Sequence, residues 1–113
     1  MTTCCKYETN NVKNWIGNWR IDNEKSYWNN TLIFLIKHKK DTLCQRKKED
    51  AQIWKIKVNK NNTRQCIFIV LKKNGRMKIY KGQMNENFDC IKWTHYNSDK
   101  VADIWRKCLR KEE

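Results

Sequence analysis

The stretch from Arg64 to Gly82 most constrains what this chain can fold into, because it reads as two strands joined by a turn. Residues 66–71 are apolar at every position, which is typical of a central strand that is covered on both faces. Asn74-Gly75 follows, and this dipeptide favours a tight hairpin turn because both residues tolerate positive φ. Residues 77–81 then place Met77 and Ile79 on one face of a strand and Lys78 and Tyr80 on the other. The sequence therefore predicts an antiparallel hairpin at the centre of a β-meander.

Similar alternation predicts further strands at 15–21, 31–37, 51–58 and 88–95. The length of 113 residues suits one domain, 1–113, with 1–14 as a polar N-terminal lead-in. Thirteen aromatic residues, counted as six Trp, four Tyr and three Phe, can supply much of its core. We therefore predict a mainly β fold, a small antiparallel meander barrel or sandwich of six to seven strands.

Two segments allow two interpretations. Residues 38–50 form either one long basic loop or a hairpin with a short strand near Leu43-Cys44. Residues 98–110 are predicted to be a C-terminal helix, because four apolar positions recur at helical spacing and Ser98 is a suitable N-cap. These positions are Val101, Ile104, Trp105 and Cys108. As a strand after a turn at 97–100, the same segment would place alternate residues from Ala102 onward on one face.

Gly17-Asn18-Trp19, near the start of a chain with β-like patterning, resembles the G-x-W sequence of the calycin barrels, the lipocalins and fatty-acid-binding proteins. The resemblance covers these three residues. It implies a barrel whose interior holds a small apolar ligand, which is one of the functions considered for this chain.

The net charge of +13 is concentrated in the middle of the chain. Residues 31–83 contain fifteen basic and three acidic residues, a difference of +12, whereas residues 84–113 contain six of each. Such a local excess indicates attraction to a polyanion: nucleic acid, an acidic protein surface or anionic lipid. The competing interpretation is that the lysines only keep exposed strands solvated.

In an up-and-down meander, alternate loops lie at the same end, so the loop 39–50 and the turn 72–76 are predicted to form one basic pole. An extra strand at Leu43-Cys44 would change this parity. The predicted polyanion-binding residues are Lys39, Lys40, Arg46, Lys47, Lys48, Lys72, Lys73 and Arg76. Three rings are candidates for stacking on bases, although Trp at alternating positions is more often a core residue. These rings are Trp54, Tyr80 and Trp93.

No pattern in the sequence indicates catalysis, a cofactor or a metal site. The six cysteines and two histidines lack zinc-ligand spacing, and the three glycines form no phosphate-binding loop. Without a signal peptide or a transmembrane segment, reduced cysteines and an intracellular location are expected. Cys4-Cys5 is not expected to carry a lipid anchor, because Thr2 stands where myristoylation requires glycine.

We expect a non-catalytic binding module for nucleic acid or an acidic protein surface. The alternatives are a structural or adaptor subunit and a ligand-holding barrel.

Overall fold

The structure, a computed structural model, describes residues 12–45, 53–71 and 75–108. A short 3-10 helix, η1 (Lys13–Trp15), is followed by eight strands. They are β1 (Gly17–Ile21), β2 (Leu32–Lys39), β3 (Thr42–Gln45), β4 (Ile53–Val58), β5 (Gln65–Leu71), β6 (Met77–Met84), β7 (Cys90–His95) and β8 (Val101–Lys107). Within these residues, no helix has the length and apolar character needed to cross a bilayer.

The strands form a closed antiparallel barrel. Each strand pairs with the next along the chain, and β8 also pairs with β1, so the sheet has no free edge. The central hairpin is confirmed, since β5 and β6 are paired from Leu71 with Met77 to Gln65 with Gln83. Gly75, in the connection between them, has φ +87, which glycine adopts without strain. The mainly β prediction and the barrel are confirmed.

Three sequence predictions are wrong. The strand count is eight, not six or seven: of the two interpretations of 38–50 the hairpin with a short strand, β3, is the correct one, and residues 101–107 add an eighth strand. The predicted helix over 98–110 is instead β8 within its described part: Trp105 pairs with Ile91 on one side and Ile21 on the other. The first strand begins at Gly17, because Trp15 belongs to η1.

The two ends of the barrel differ. At the end that we call the plugged end, η1 enters and buries Trp15, whose indole Nε1 donates a 2.7 Å hydrogen bond to the carbonyl oxygen of Thr63. Lys107 secures the same end: its Nζ lies 5.1 Å from the centre of the Trp19 ring and donates to the carbonyl oxygen of Asn14 at 3.1 Å. Burial lowers the pKa of this ammonium. The last residues of β1, β3, β5 and β7 and the first residues of β2, β4, β6 and β8 lie at the opposite end, the far end.

The aromatic side chains fill the interior. The rings of Phe68 and Trp93 have centroids 5.1 Å apart, and those of Trp93 and Trp105 are 4.9 Å apart. On β5, Phe68 is buried with the other residues of its face, whereas Ile67 and Ile69 are half-buried on the outside. The sequence had predicted cover on both faces of β5, but these two isoleucines keep partial exposure. The barrel therefore has one core, inside the sheet.

Gly82 makes room for the indole ring of Trp93 in this core. It pairs with Trp93 across β6 and β7 and with Cys66 across β5 and β6. A Cβ at position 82 would lie 2.5 Å from Cζ3 of Trp93 and 2.7 Å from Sγ of Cys66. Real carbon atoms do not approach so closely, so the indole can lie flat against β6 only because residue 82 is glycine.

Gly82→Ala is expected to lower the free energy of unfolding by about 1–3 kcal/mol, because the added methyl group overpacks the core. Urea denaturation followed by tryptophan fluorescence measures the change. Lys81→Ala, in the same strand but exposed, is the control and should shift stability by no more than about 0.5 kcal/mol. Equal stability of Gly82→Ala and the wild type would contradict this packing.

Candidate polyanion-binding surface

The structure separates the basic residues that were predicted to form one pole. Lys39 ends β2 and Lys40 lies in the β2–β3 turn at the plugged end, whereas Arg76 precedes β6 at the far end. The separation follows from β3, which returns the chain across the barrel after two turn residues. Five predicted residues lie outside the described part of the chain, namely Arg46, Lys47, Lys48, Lys72 and Lys73. The described strand ends that flank them belong to the far end, as Arg76 does.

The two aromatic candidates whose side chains the structure describes do not form an outer platform for base stacking. Trp93 is 2% exposed and packs in the core, which agrees with the competing interpretation of its position in the sequence. Tyr80 is half-buried and lies against Phe68 and His95, with ring centroids 5.8 and 5.4 Å away. Trp54 pairs with Val70 in the β4–β5 ladder, and its side chain lies outside the described part of the structure.

A different basic surface is present on the outside of β4 to β7. Alternation in each strand turns buried residues inward, so the lysines between them project outward. Four exposed lysines make up this surface, which we call the basic face: Lys55, Lys57, Lys81 and Lys92. Between the lysines lie three half-buried isoleucines, Ile67, Ile69 and Ile79. The basic face is therefore a lysine array on an aliphatic floor.

Strand register fixes the spacing of this array. Lys57 pairs with Ile67, and Ile67 pairs with Lys81, so the two lysines stand in one row two strands apart. Neighbouring strands are about 4.8 Å apart, which places their Cα atoms about 10 Å apart. Lys55 belongs to the next row, and Lys92 pairs with Gln83 in the row on the other side.

Acidic residues are absent from these four strands. The 27 residues of β4, β5, β6 and β7 contain five lysines and no Asp or Glu. The fifth lysine, Lys78, lies near the far end. Since no carboxylate within the strands neutralises the ammonium groups, the basic face carries a positive potential.

A shallow groove of about 290 Å³ lies on the plugged-end side of the basic face and shares Lys81 with it. Its outer walls carry the ammonium of Lys81 and three side-chain amides, of which Gln65 donates to Gln83 at 3.2 Å. The lining residues are Asn59, Gln65, Cys66, Ile67, Lys81, Gly82, Gln83 and Thr94. The groove thus offers hydrogen-bond donors, one cation and an apolar base to an anionic group.

Sequence reasoning identified the outward lysines of β4 but assigned binding to the loops. The signal that would have found the basic face was already present: five lysines against one acidic residue, Asp89, over four consecutive predicted strands. Combining the strands into one surface requires their order and register, which the alternation does not provide.

Asp103 of β8 and Asn23 of the β1–β2 connection form a polar pair near the far end. Asp103 pairs with Trp93 and accepts a 3.0 Å hydrogen bond from Nδ2 of Asn23. Burial raises the pKa of Asp103, although the hydrogen bond from Asn23 opposes the shift. The pKa of Tyr80 is also raised, first by burial and then by the negative charge of Asp103.

The cysteines are thiols without a metal cluster in the described part of the chain. Cys44, Cys66, Cys90 and Cys108 are free, and no group of three or more His, Cys, Asp or Glu side chains among the described residues has the geometry to hold a metal ion. Burial raises the pKa of Cys66 well above its ordinary value. Cys66 therefore behaves as a small apolar side chain, since the thiolate is the reactive form.

Comparisons with protein-family models, curated protein sequences and solved structures find no match to this chain. The interpretation of the surface therefore depends on its geometry and chemistry.

Asp103→Asn is expected to lower the pKa of Tyr80 while leaving it above its ordinary value, because the charge of Asp103 is removed and the burial remains. The amide keeps an oxygen that can accept from Asn23. NMR titration of the Tyr80 ring carbons measures the change, and Asp99→Asn, at an exposed position, is the control. An unchanged Tyr80 titration in Asp103→Asn would show that the two groups do not interact.

Proposed function

We propose that this protein is a non-catalytic binding module that engages a polyanionic partner, nucleic acid or an acidic protein surface, through the basic face. One observation carries the proposal. Three of four consecutive strands, β4, β6 and β7, present outward lysines, and none of the four contains an acidic residue. A polyanion that neutralises several of these ammonium groups releases bound counterions, which favours association at low salt.

The β2–β3 turn extends the basic face beyond β4. Thr42 pairs with Lys57, and the amide of Val58 donates a 2.9 Å hydrogen bond to the carbonyl oxygen of Asp41. The turn that carries Lys40 is therefore held against the end of β4. In this proposal Lys39 and Lys40 contact the same partner as Lys57.

Arg76 extends the proposal toward the far end, because it precedes β6 there. The basic residues at 46–48 and 72–73 lie outside the described part of the chain and remain predicted contacts. They are secondary to the four strand lysines, whose outward direction follows from strand alternation.

Specific observations also favour each alternative function. The aliphatic floor formed by Ile67, Ile69 and Ile79 suits an adaptor that binds an acidic protein, and such an adaptor would co-purify with a defined partner. The indole Nε1 of Trp93 is buried without a hydrogen-bond partner among the described residues. A ligand that accepts from this N–H would have to displace part of the ring packing of Phe68 and Trp105 around Trp93, and native mass spectrometry would detect that ligand.

Binding to a single-stranded oligonucleotide is expected to weaken about 50-fold between about 50 and 200 mM salt if four phosphates are neutralised. Changing Lys55, Lys57, Lys81 and Lys92 together to Gln should remove most of the affinity and flatten the salt dependence. Fluorescence anisotropy at several salt concentrations measures both.

The matched control changes four exposed cations that lie outside β4 to β7 to Gln: Lys13, Arg20, Lys25 and Lys37. It removes the same net charge, so it should keep the salt slope and most of the affinity. Equal loss of binding in both variants would mean that only net charge matters, and the assignment to the basic face would be wrong. A polyglutamate probe in the same assay separates an acidic-protein preference from a nucleic-acid preference.

A further inference from the structure

Exposed apolar side chains are concentrated at the far end of the barrel. Seven large apolar side chains are exposed in the described part of the chain, and six of them lie in far-end connections or at the strand ends that border them. These six, which we call the apolar rim, are Tyr27, Trp28, Leu32, Met77, Tyr96 and Val101. The seventh, Phe88, lies in the β6–β7 connection at the plugged end.

Hydrogen bonds join the segments that carry the apolar rim. The β1–β2 connection is tied to β8, because the amide of Asp22 donates to the carbonyl oxygen of Ile104 at 2.7 Å, and Nδ2 of Asn23 donates to that of Ala102 at 3.2 Å. The β7–β8 connection is tied to β6 by the 3.1 Å bond from the amide of Tyr96 to the carbonyl oxygen of Ile79. The segments that carry the rim are therefore fixed relative to one another at the far end.

The two most prominent rings are held in place by their loop. Tyr27 is 91% exposed and Trp28 53% exposed, and their rings meet edge to face with centroids 5.1 Å apart. The amide of Trp28 donates to Oγ of Ser26 at 3.0 Å, and its carbonyl oxygen accepts from the amide of Thr31 at 3.0 Å. An ordered loop that keeps two large rings in water indicates a surface that is covered by a partner.

The composition of the apolar rim matches the interface of a lipid bilayer. Tyr27, Trp28 and Tyr96 combine an apolar ring with a hydrogen-bonding group, which is the combination enriched where hydrocarbon meets headgroups. Leu32, Met77 and Val101 are aliphatic; they gain from leaving water but cannot stack on a base as rings do. The mixture favours lipid over nucleic acid.

Charge complementarity decides which partner covers this surface. Two copies meeting rim to rim would bring together two chains of net charge +13, and their repulsion opposes a dimer. The far end carries Arg76, Lys78 and Lys100 but also acidic groups such as Glu24, so the attraction to anionic headgroups comes mainly from the whole molecule. An anionic bilayer satisfies both the charge and the apolar side chains.

We propose that the apolar rim docks the far end of the barrel onto the interface of a bilayer that contains anionic phospholipid. Tyr27 and Trp28 insert at headgroup depth, and the aliphatic residues of the rim lie beside them. The far-end lysines, Lys78 and Lys100, contact lipid phosphate. The rim shares no residue with the basic face, so the two proposals are tested on different side chains.

Vesicles of phosphatidylcholine with about a third phosphatidylserine test the proposal, since such membranes attract basic segments. The wild type is expected to float with them. Tyr27→Ser combined with Trp28→Ser should weaken vesicle binding about tenfold or more, because two large rings no longer leave water. Phe88→Ser removes an exposed ring at the plugged end and is the matched control, which should bind as the wild type does.

Quenching by brominated acyl chains adds a positional measurement. Trp28 is expected to be quenched on vesicle binding, and the quenched component should disappear in Trp28→Phe. Oligonucleotide binding by the Tyr27→Ser, Trp28→Ser variant should be unchanged, which keeps this surface distinct from the basic face and shows that the variant is folded.

Three results would overturn the proposal: no vesicle binding by the wild type, equal vesicle binding by the rim variant and the wild type, or a dimer in sedimentation velocity that the rim variant abolishes. The last result would assign the apolar rim to a second copy of the chain. Capture of an acidic protein that depends on Trp28, without vesicle binding, would assign the rim to that protein.

Discussion

Closure of the sheet by β8 is the interaction on which the rest of the structure depends. Trp105 pairs with Ile91 of β7 and with Ile21 of β1, so a single strand joins the last hairpin to the first strand. Without these pairs the sheet would have two free edges, which attract other strands. Closure also defines an inside, and alternation then assigns every strand residue to the core or to the surface.

The two proposed surfaces follow from this assignment. Aromatic residues such as Trp93 and Phe68 are used inside the barrel, so the outer side of β4 to β7 is left with lysines over isoleucines. Exposed aromatic residues remain where alternation does not apply, in the connections and at the strand ends of the far end. The wall and the end of one barrel therefore present different chemistry, cationic on the wall and amphipathic at the end.

Local patterns predicted the parts of the fold that depend on local interactions. The hairpin of β5 and β6 was predicted because a continuous apolar run and Asn74-Gly75 specify a strand and a turn by themselves. β8 was predicted to be a helix because a seven-residue segment in which Ile104 and Trp105 are adjacent fits both the helical and the strand period. Only the strands that pair with it decide between the two, and β1 is far away in sequence. The predicted basic pole depended on which connections share an end of the barrel. The short strand β3 changes that assignment, because it takes the chain across the barrel once more.

Surface function was harder to predict for the same reason. Lys57 and Lys81 are 24 positions apart in sequence, and only the register of β4, β5 and β6 places them in one row. Tyr27 and Trp28 resemble core residues in the sequence, since large rings are usually buried. Their exposure depends on the path of the β1–β2 connection, which no local pattern specifies.

Chemical-shift mapping tests the central claim, that the lysines of β4 to β7 form the binding surface, most directly. A single-stranded oligonucleotide is titrated into isotopically labelled protein at low salt, and the side-chain resonances of the lysines are followed. The largest shifts are expected at Lys55, Lys57, Lys81 and Lys92, and they should reverse when salt is added. Shifts of equal size at Lys13 and Lys25, or spread evenly over the barrel, would contradict the claim.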